Sequence, residues 1–230
     1  MLNNEIQFLK NHNVRINGVI HVGAHRGEEV DYYENVFNAK EAILIEPNPE
    51  VFKELKFNLD NKKYYDILCH TYCYAVSDYS GVGKFNIIYG NDATFMAGNK
   101  GCSSLLEMNI ENIKNSNNEN HFNLKNQIDV VVKKLDDILI ENKHELSNFD
   151  FMNIDAQGVE LQILKGSTDI LKKGSIQAIL IEATLEQPFY INNSDFNEIK
   201  EYLKIFGFNY KEIFWHSYGK WGDALFVKEK

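Results

Sequence analysis

GVIHVGAHRG, residues 18–27, decides the fold: a five-residue apolar run stops at Gly23, a turn of small residues follows, and Gly27 leads into a helical pattern over residues 28–37. This reads as strand, glycine turn and helix, with free N–H groups at the helix start facing whatever the turn approaches. The unit repeats at once. Residues 42–45 are a second buried strand, stopped by Glu46-Pro47-Asn48-Pro49, and Val51, Phe52, Leu55 and Leu59 then recur at helical spacing. Two strand-helix units in tandem predict parallel strands.

Further along, residues 72–76 read as a third strand, 84–89 and 128–132 as a pair, and 151–154 and 176–181 as core strands. Helices are predicted over 159–171 and 195–206, and residues 208–215 and 224–227 as an antiparallel closing pair. The excursion at residues 90–127 is too long for an ordinary connection and is the natural acceptor-side segment. The result is an α/β, doubly wound, mostly parallel sheet, whose ligands sit beyond the carboxyl ends of the strands.

A chain of 230 residues with 44% hydrophobic and 13% aromatic content suits one domain with a sizeable core. Its net charge of −9 and pI near 5.3 argue against a polyanion binder, so no nucleic-acid partner is expected. No apolar run approaches the ~18 residues of a spanning helix, and no signal-peptide pattern opens the chain; the expectation is a cytoplasmic protein without a membrane partner. Cys69, Cys73 and Cys102 fit free thiols, and Val76 stands where an iron–sulfur motif beginning at Cys69 and Cys73 needs its third cysteine.

Glu46 lies 23 positions after Gly23, near the ~20-residue interval at which an acid meets ribose hydroxyls in nucleotide folds. Gly-x-Gly-x-x-Gly is absent, because Ala24 and His25 occupy the places where a pyrophosphate needs glycine; S-adenosylmethionine is therefore favoured over NAD. Asp155, Glu160 and Glu182 are placed at or just after strand ends, where three carboxylates can converge, though Glu160 equally suits the positive end of its helix. No metal is expected among them. Of the histidines, His25 and His121 are best located to take a proton, and Phe122, Phe189, Tyr190, Trp215 and Trp221 either stack on an acceptor or close the core.

Together these blocks resemble the FkbM family of S-adenosylmethionine-dependent methyltransferases: VIHVGAHRGEE (19–29), ILIEPNPEVFKEL (43–55), AVSD (75–78), GCSSLL (101–106), VVVKKLDDIL (130–139), FMNIDAQGVELQILKGSTDIL (151–171) and YGKWGDALFVK (218–228). The resemblance implies a class I, Rossmann-like fold with a seven-stranded sheet and helices on both faces, occupying residues 18–230 after a helical extension at residues 1–17. It implies a cofactor lying across Gly23, Ala24, His25 and Gly27, its ribose on Glu46 beside Pro47 and Asn48, and its adenine near Ser77 and Asp78. Asp155 faces the methionine part or reacting centre, and Ser103, Ser104 and His121 belong to the acceptor side with Glu160 and Glu182. His21 stands where the family commonly has an acid, which leaves open how the cofactor's amino group is held. The expected reaction is O-methylation of a sugar, glycan or related small molecule, with Asp155, His25 or His121 as base. An amine acceptor, or a non-catalytic cofactor-binding or scaffold role, is the alternative.

Overall fold

The computed structural model describes residues 8–10, 14–61, 66–89, 101–115, 123–186, 188–217 and 221–229. Side chains alternate about its central strands, β1 (Gly18–Val22), β2 (Glu41–Ile45) and β7 (Phe151–Ile154). Ile20, Val22, Ile43, Ile45, Met152 and Ile154 face one hydrophobic cluster, while Val19, Ala42, Leu44 and Phe151 face another. Such strands are buried on both sides, as a parallel sheet between helix layers requires. One cluster is closed by α4 (Leu135–Glu141), α5 (Glu160–Lys165), α6 (Thr168–Lys173) and α7 (Phe196–Lys204). The other is closed by α1 (Val30–Asn35) and α2 (Pro49–Asn61).

Seven strands form the sheet in the order β3-β2-β1-β7-β8-β10-β9, completed by β3 (Leu68–Tyr72), β8 (Ala178–Thr184), β9 (Phe208–Ser217) and β10 (Trp221–Lys228). Neighbours from β3 to β8 are parallel, and β10 runs antiparallel between β8 and β9. The expected class and closing pair are therefore present. A second, three-stranded sheet pairs β6 (Asn123–Lys133) with β5 (Gly81–Tyr89) and β4 (Ala75–Val76).

Three local expectations are corrected. The strand expected at 72–76 divides between the two sheets: Glu46 N–H still donates to Tyr72 O, but Pro47 has no N–H with which to continue the ladder, and Ala75–Val76 pairs with β6 instead. The helix expected over 159–171 breaks at Gly166, where a Cβ would stand 2.1 Å from Ser77 O. The Asp136 carboxylate from α4 accepts the Asp169 and Ile170 N–H groups at 2.8 and 3.1 Å, starting α6 as a separate helix. Glu182 lies within β8 rather than at its end, because β10 holds that strand in register as far as Thr184.

Of the excursion at 90–127, residues 101–115 are described, including α3 (Ile110–Asn115), and residues 123–127, which belong to β6 rather than to a loop; residues 90–100 and 116–122, with His121 and Phe122, lie outside the described residues, as does most of the 1–17 extension. Segment 101–109 bridges β5 through Asn86 and Ser104 and meets the β8–α7 connection through Met108 and Tyr190. It thereby joins the second sheet to the carboxyl edge of the first.

Candidate active site

At the end of β1 the chain turns through Gly23 (φ 86°), His25 (φ 44°) and Gly27 (φ 78°). The glycines meet a packing demand: a Cβ on Gly23 would lie 1.7 Å from Asp155 O, and one on Gly27 2.7 Å from Leu55 Cδ1. Gly23 and Ala24 N–H both donate to Ile45 O, at 2.9 and 3.0 Å, which draws the turn over the end of β2. His25 accepts an uncommon left-handed backbone because it is held at both ends. Its N–H donates to Glu46 Oε2 (3.1 Å) and its Nδ1 bonds Glu28 Oε1 (2.9 Å).

Glu46 is only 7% exposed and also accepts Asn48 N–H at 2.8 Å. Burial raises its pKa to about 7, against the lowering effect of those bonds and of His25. Beside it, His25 Nε2 and Asn48 Nδ2 are buried polar atoms without a hydrogen-bond partner among the described residues; Asn48 Oδ1 accepts from Glu50 N–H, which fixes the amide's orientation. Cys73 approaches Pro47 O at 4.0 Å, its thiol pKa pushed up by burial and by Glu46. Buried carboxylate oxygens beside two unpartnered polar atoms are suited to a polyhydroxylated ligand such as a nucleoside.

The second half of the edge lies over β7, β8 and β10. Solvent reaches Asp155, yet enclosing protein raises its pKa, opposed by the Gln157 hydrogen bond and reinforced by Asp223. Gln157 Nε2 donates to Asp155 Oδ1 (2.7 Å) and to Glu182 Oε2 (2.6 Å), and Asp223 is Glu182's cross-strand partner. Burial and the charges of Asp155, Glu160 and Asp223 push the Glu182 pKa well up. His216 Nε2 pairs with Asp223 Oδ2 at 2.7 Å, and Tyr190 donates to Cys102 O and Gln157 Oε1.

Several residues singled out in the sequence make inward-facing bonds. His21 places its two ring nitrogens against Tyr33 (3.1 Å) and Asn153 (3.3 Å), and burial lowers its pKa to about 4; it supports the turn from beneath. Glu160 accepts Gly158 N–H at 2.9 Å, bracing the turn before α5. Ser104, wholly buried, donates to Gln157 O and accepts Leu106 N–H, while Ser103 accepts Ile88 N–H, so both hydroxyls anchor segment 101–109. Ser77 bonds Lys133 O through its N–H and lies under Gly166, with Asp78 exposed beside it.

The Methyltransferase FkbM domain matches residues 21–210 of this chain. The chain belongs to the FkbM methyltransferase family. As an FkbM protein it takes its methyl group from S-adenosylmethionine, which the unpartnered atoms around Glu46 and the adjacent glycine turn fit. No curated protein matches it. Its fold is shared with the methyltransferase domain of bacterial CtHen1-C (10% identity, 100% of this chain and 97% of that one, TM-score 0.51). It is shared also with M. capricolum TrmK in complex with S-adenosyl-homocysteine (12%, 100% and 70%, 0.51), and with Synechocystis PCC 6803 magnesium protoporphyrin IX methyltransferase with bound SAH (6%, 99% and 82%, 0.53). Among the described residues of this FkbM chain, no helix is long and apolar enough to cross a membrane.

Sequence reasoning missed Glu29, Gln157 and Asp223, and it did not place Cys73 or His216 at this edge. Glu29 was masked by its neighbour Glu28, although it directly precedes α1; burial and the charges of Glu28 and Asp155 raise its pKa to about 7. Gln157 lies unremarked inside the block FMNIDAQGVELQILKGSTDIL (151–171). Asp223 could be placed opposite Glu182 only once β10 was known to pair with β8.

Proposed function

We propose that this methyltransferase acts on a hydroxyl of a sugar, glycan or related small polyhydroxylated molecule. The observation that carries the reading is the carboxyl cluster over three adjacent strands: Asp155 directly after β7 and Glu182 within β8, joined by Gln157, with Asp223 of β10 opposite Glu182. Carboxylates accept hydrogen bonds from hydroxyls, and a raised pKa makes Asp155 a stronger base than an ordinary aspartate. The chain's charge of −9 supports a neutral polyol over a polyanion.

Bound S-adenosylmethionine supplies a methyl group already activated on a sulfonium. Glu46 holds the ribose diol, with Pro47 and Asn48 beside it and His25 Nε2 as a further polar contact, while Gly23, Ala24 and Gly27 shape the turn. Ser77 and Asp78 border the adenine. Glu29, a buried acid near Asp155, would be the candidate to hold the cofactor's ammonium in place of the acid that His21 replaces. Asp155 would orient the acceptor hydroxyl and take up its proton, while the bound cofactor would supply the methyl group and keep the electron pair of the broken carbon–sulfur bond on sulfur.

Transfer from isotope-labelled S-adenosylmethionine should be followed over a panel of monosaccharides, nucleotide sugars, glycans, amines and tRNA, with products located by mass spectrometry. The expected product is a methyl ether. Asp155→Asn should lower kcat by about 100-fold or more while leaving cofactor affinity nearly intact. Transfer only to an amine or to tRNA would overturn the acceptor assignment, and full activity in the variant would remove Asp155 from the catalytic role.

A further inference from the structure

We propose that Glu41, His70 and His144 form a binding site for a zinc-class divalent transition metal at the amino-terminal edge of the central sheet. The three come from separate parts of the chain: Glu41 opens β2, His70 is the middle residue of β3, and His144 follows α4. His70 Nε2 lies 3.0 Å from Glu41 Oε1 and His144 Nδ1 lies 4.0 Å from the same oxygen; the three donor atoms all fall within 4.8 Å of one another. Bonds of about 2.0–2.1 Å in a tetrahedral site set ligand atoms roughly 3.4 Å apart, so the observed spacings bracket the required one and small side-chain movements close the set.

The outer contacts are those that a ligand set needs. Tyr72 Oη lies 2.8 Å from His144 Nε2, which directs Nδ1 toward the other two residues. Asn148 Nδ2 donates to Glu41 Oε2 at 3.0 Å, leaving Oε1 turned toward the histidines. The imidazole rings of His70 and His144 meet edge to face at 4.6 Å. Orientation of imidazole and carboxylate by such partners is the usual support of a metal ligand. All three ligand residues are half-buried, and the His144 side chain is 5% exposed, so the donors are partly shielded from water without being closed off.

Two imidazoles and one carboxylate select zinc and its transition-metal neighbours over magnesium or calcium, which take oxygen donors. Three protein donors leave a tetrahedral ion one position for water. The site is distinct from the cofactor edge, because Glu41 and Glu46 are separated by the length of β2, about 16 Å. Its role is that of a clasp: an ion there would tie β2, β3 and the segment after α4 together at the end of the sheet remote from the chemistry.

The test is calorimetric titration of chelator-treated full-length protein with Zn²⁺, with Mg²⁺ as control. We expect one saturable equivalent at micromolar Kd or tighter, a rise in Tm, no response to Mg²⁺, loss of binding in His70→Gln/His144→Gln and weakening by about 10–100-fold in Tyr72→Phe. Affinity for S-adenosylhomocysteine should be the same in all variants. Absence of saturable Zn²⁺ binding, or binding retained by the double variant, would overturn the site. Should the double variant not fold, Co²⁺ added to the wild-type protein decides: visible bands of a low-coordinate nitrogen and oxygen site support the assignment, and thiolate charge transfer or an octahedral spectrum refutes it.

Discussion

At the scale of single residues, Glu46 has two duties. Its carboxylate accepts the His25 and Asn48 N–H groups, fixing the turns after β1 and β2, and it lies beside the two unpartnered buried atoms. Glu46→Ala should weaken S-adenosylmethionine binding by about 1.5–3 kcal/mol, the range for hydrogen bonds to a charged group. Isothermal calorimetry checks this, and unchanged affinity would remove the ribose assignment. Of the side chains at this edge, Glu46 was legible from spacing alone, because 23 residues after a glycine turn is a property of the chain. The partners of His21 were not legible, because a β-strand residue gives no sign of which side chains it will meet; here Tyr33 and Asn153 surround it.

At the scale of elements, the α5–α6 break is held by a carboxylate from α4. Gly166 fits against Ser77 O, its carbonyl accepts Asp136 N–H at 3.1 Å, and Asp136 caps α6, so α4 ties the end of α5 to the start of α6. Removing that cap with Asp136→Ala should cost about 1–2 kcal/mol in denaturant unfolding while leaving cofactor affinity unchanged. Loss of affinity along with stability would mean that the break transmits to the site. The uninterrupted apolar spacing of residues 159–171 read as one helix because periodicity reports a buried face and is silent about a carboxylate arriving from residue 136.

At the scale of the whole molecule, the carboxyl edge concentrates acids whose proton affinities are raised by burial. Glu29, Glu46 and Glu160 stand at about 7 against an ordinary 4.5, so between those values the folded state holds more protons than the unfolded one and stability falls as pH rises. His21 acts oppositely: at about 4 against 6.5, it contributes stability that is lost as pH falls through that interval. Three groups outweigh one. The Tm of cofactor-free protein, measured by scanning calorimetry, should therefore drop from about pH 5 to about pH 7.5; a rise across that range would show that the acids are not buried as described.

The sequence by itself determined the strand-turn-helix opening, the parallel α/β class and the antiparallel closing pair, and it placed an acid, Glu46, directly after the second strand. These follow from local periodicity, from glycine and proline chemistry and from fixed intervals along one chain. The tertiary structure alone decided that Ala75–Val76 joins a second sheet, that Ser103 and Ser104 turn their hydroxyls inward, that Glu182 faces Asp223 across β8 and β10, and that Glu41, His70 and His144 meet. Each depends on strand pairing or on packing between segments distant in sequence, and the energy of such contacts is set by partners that local pattern does not specify.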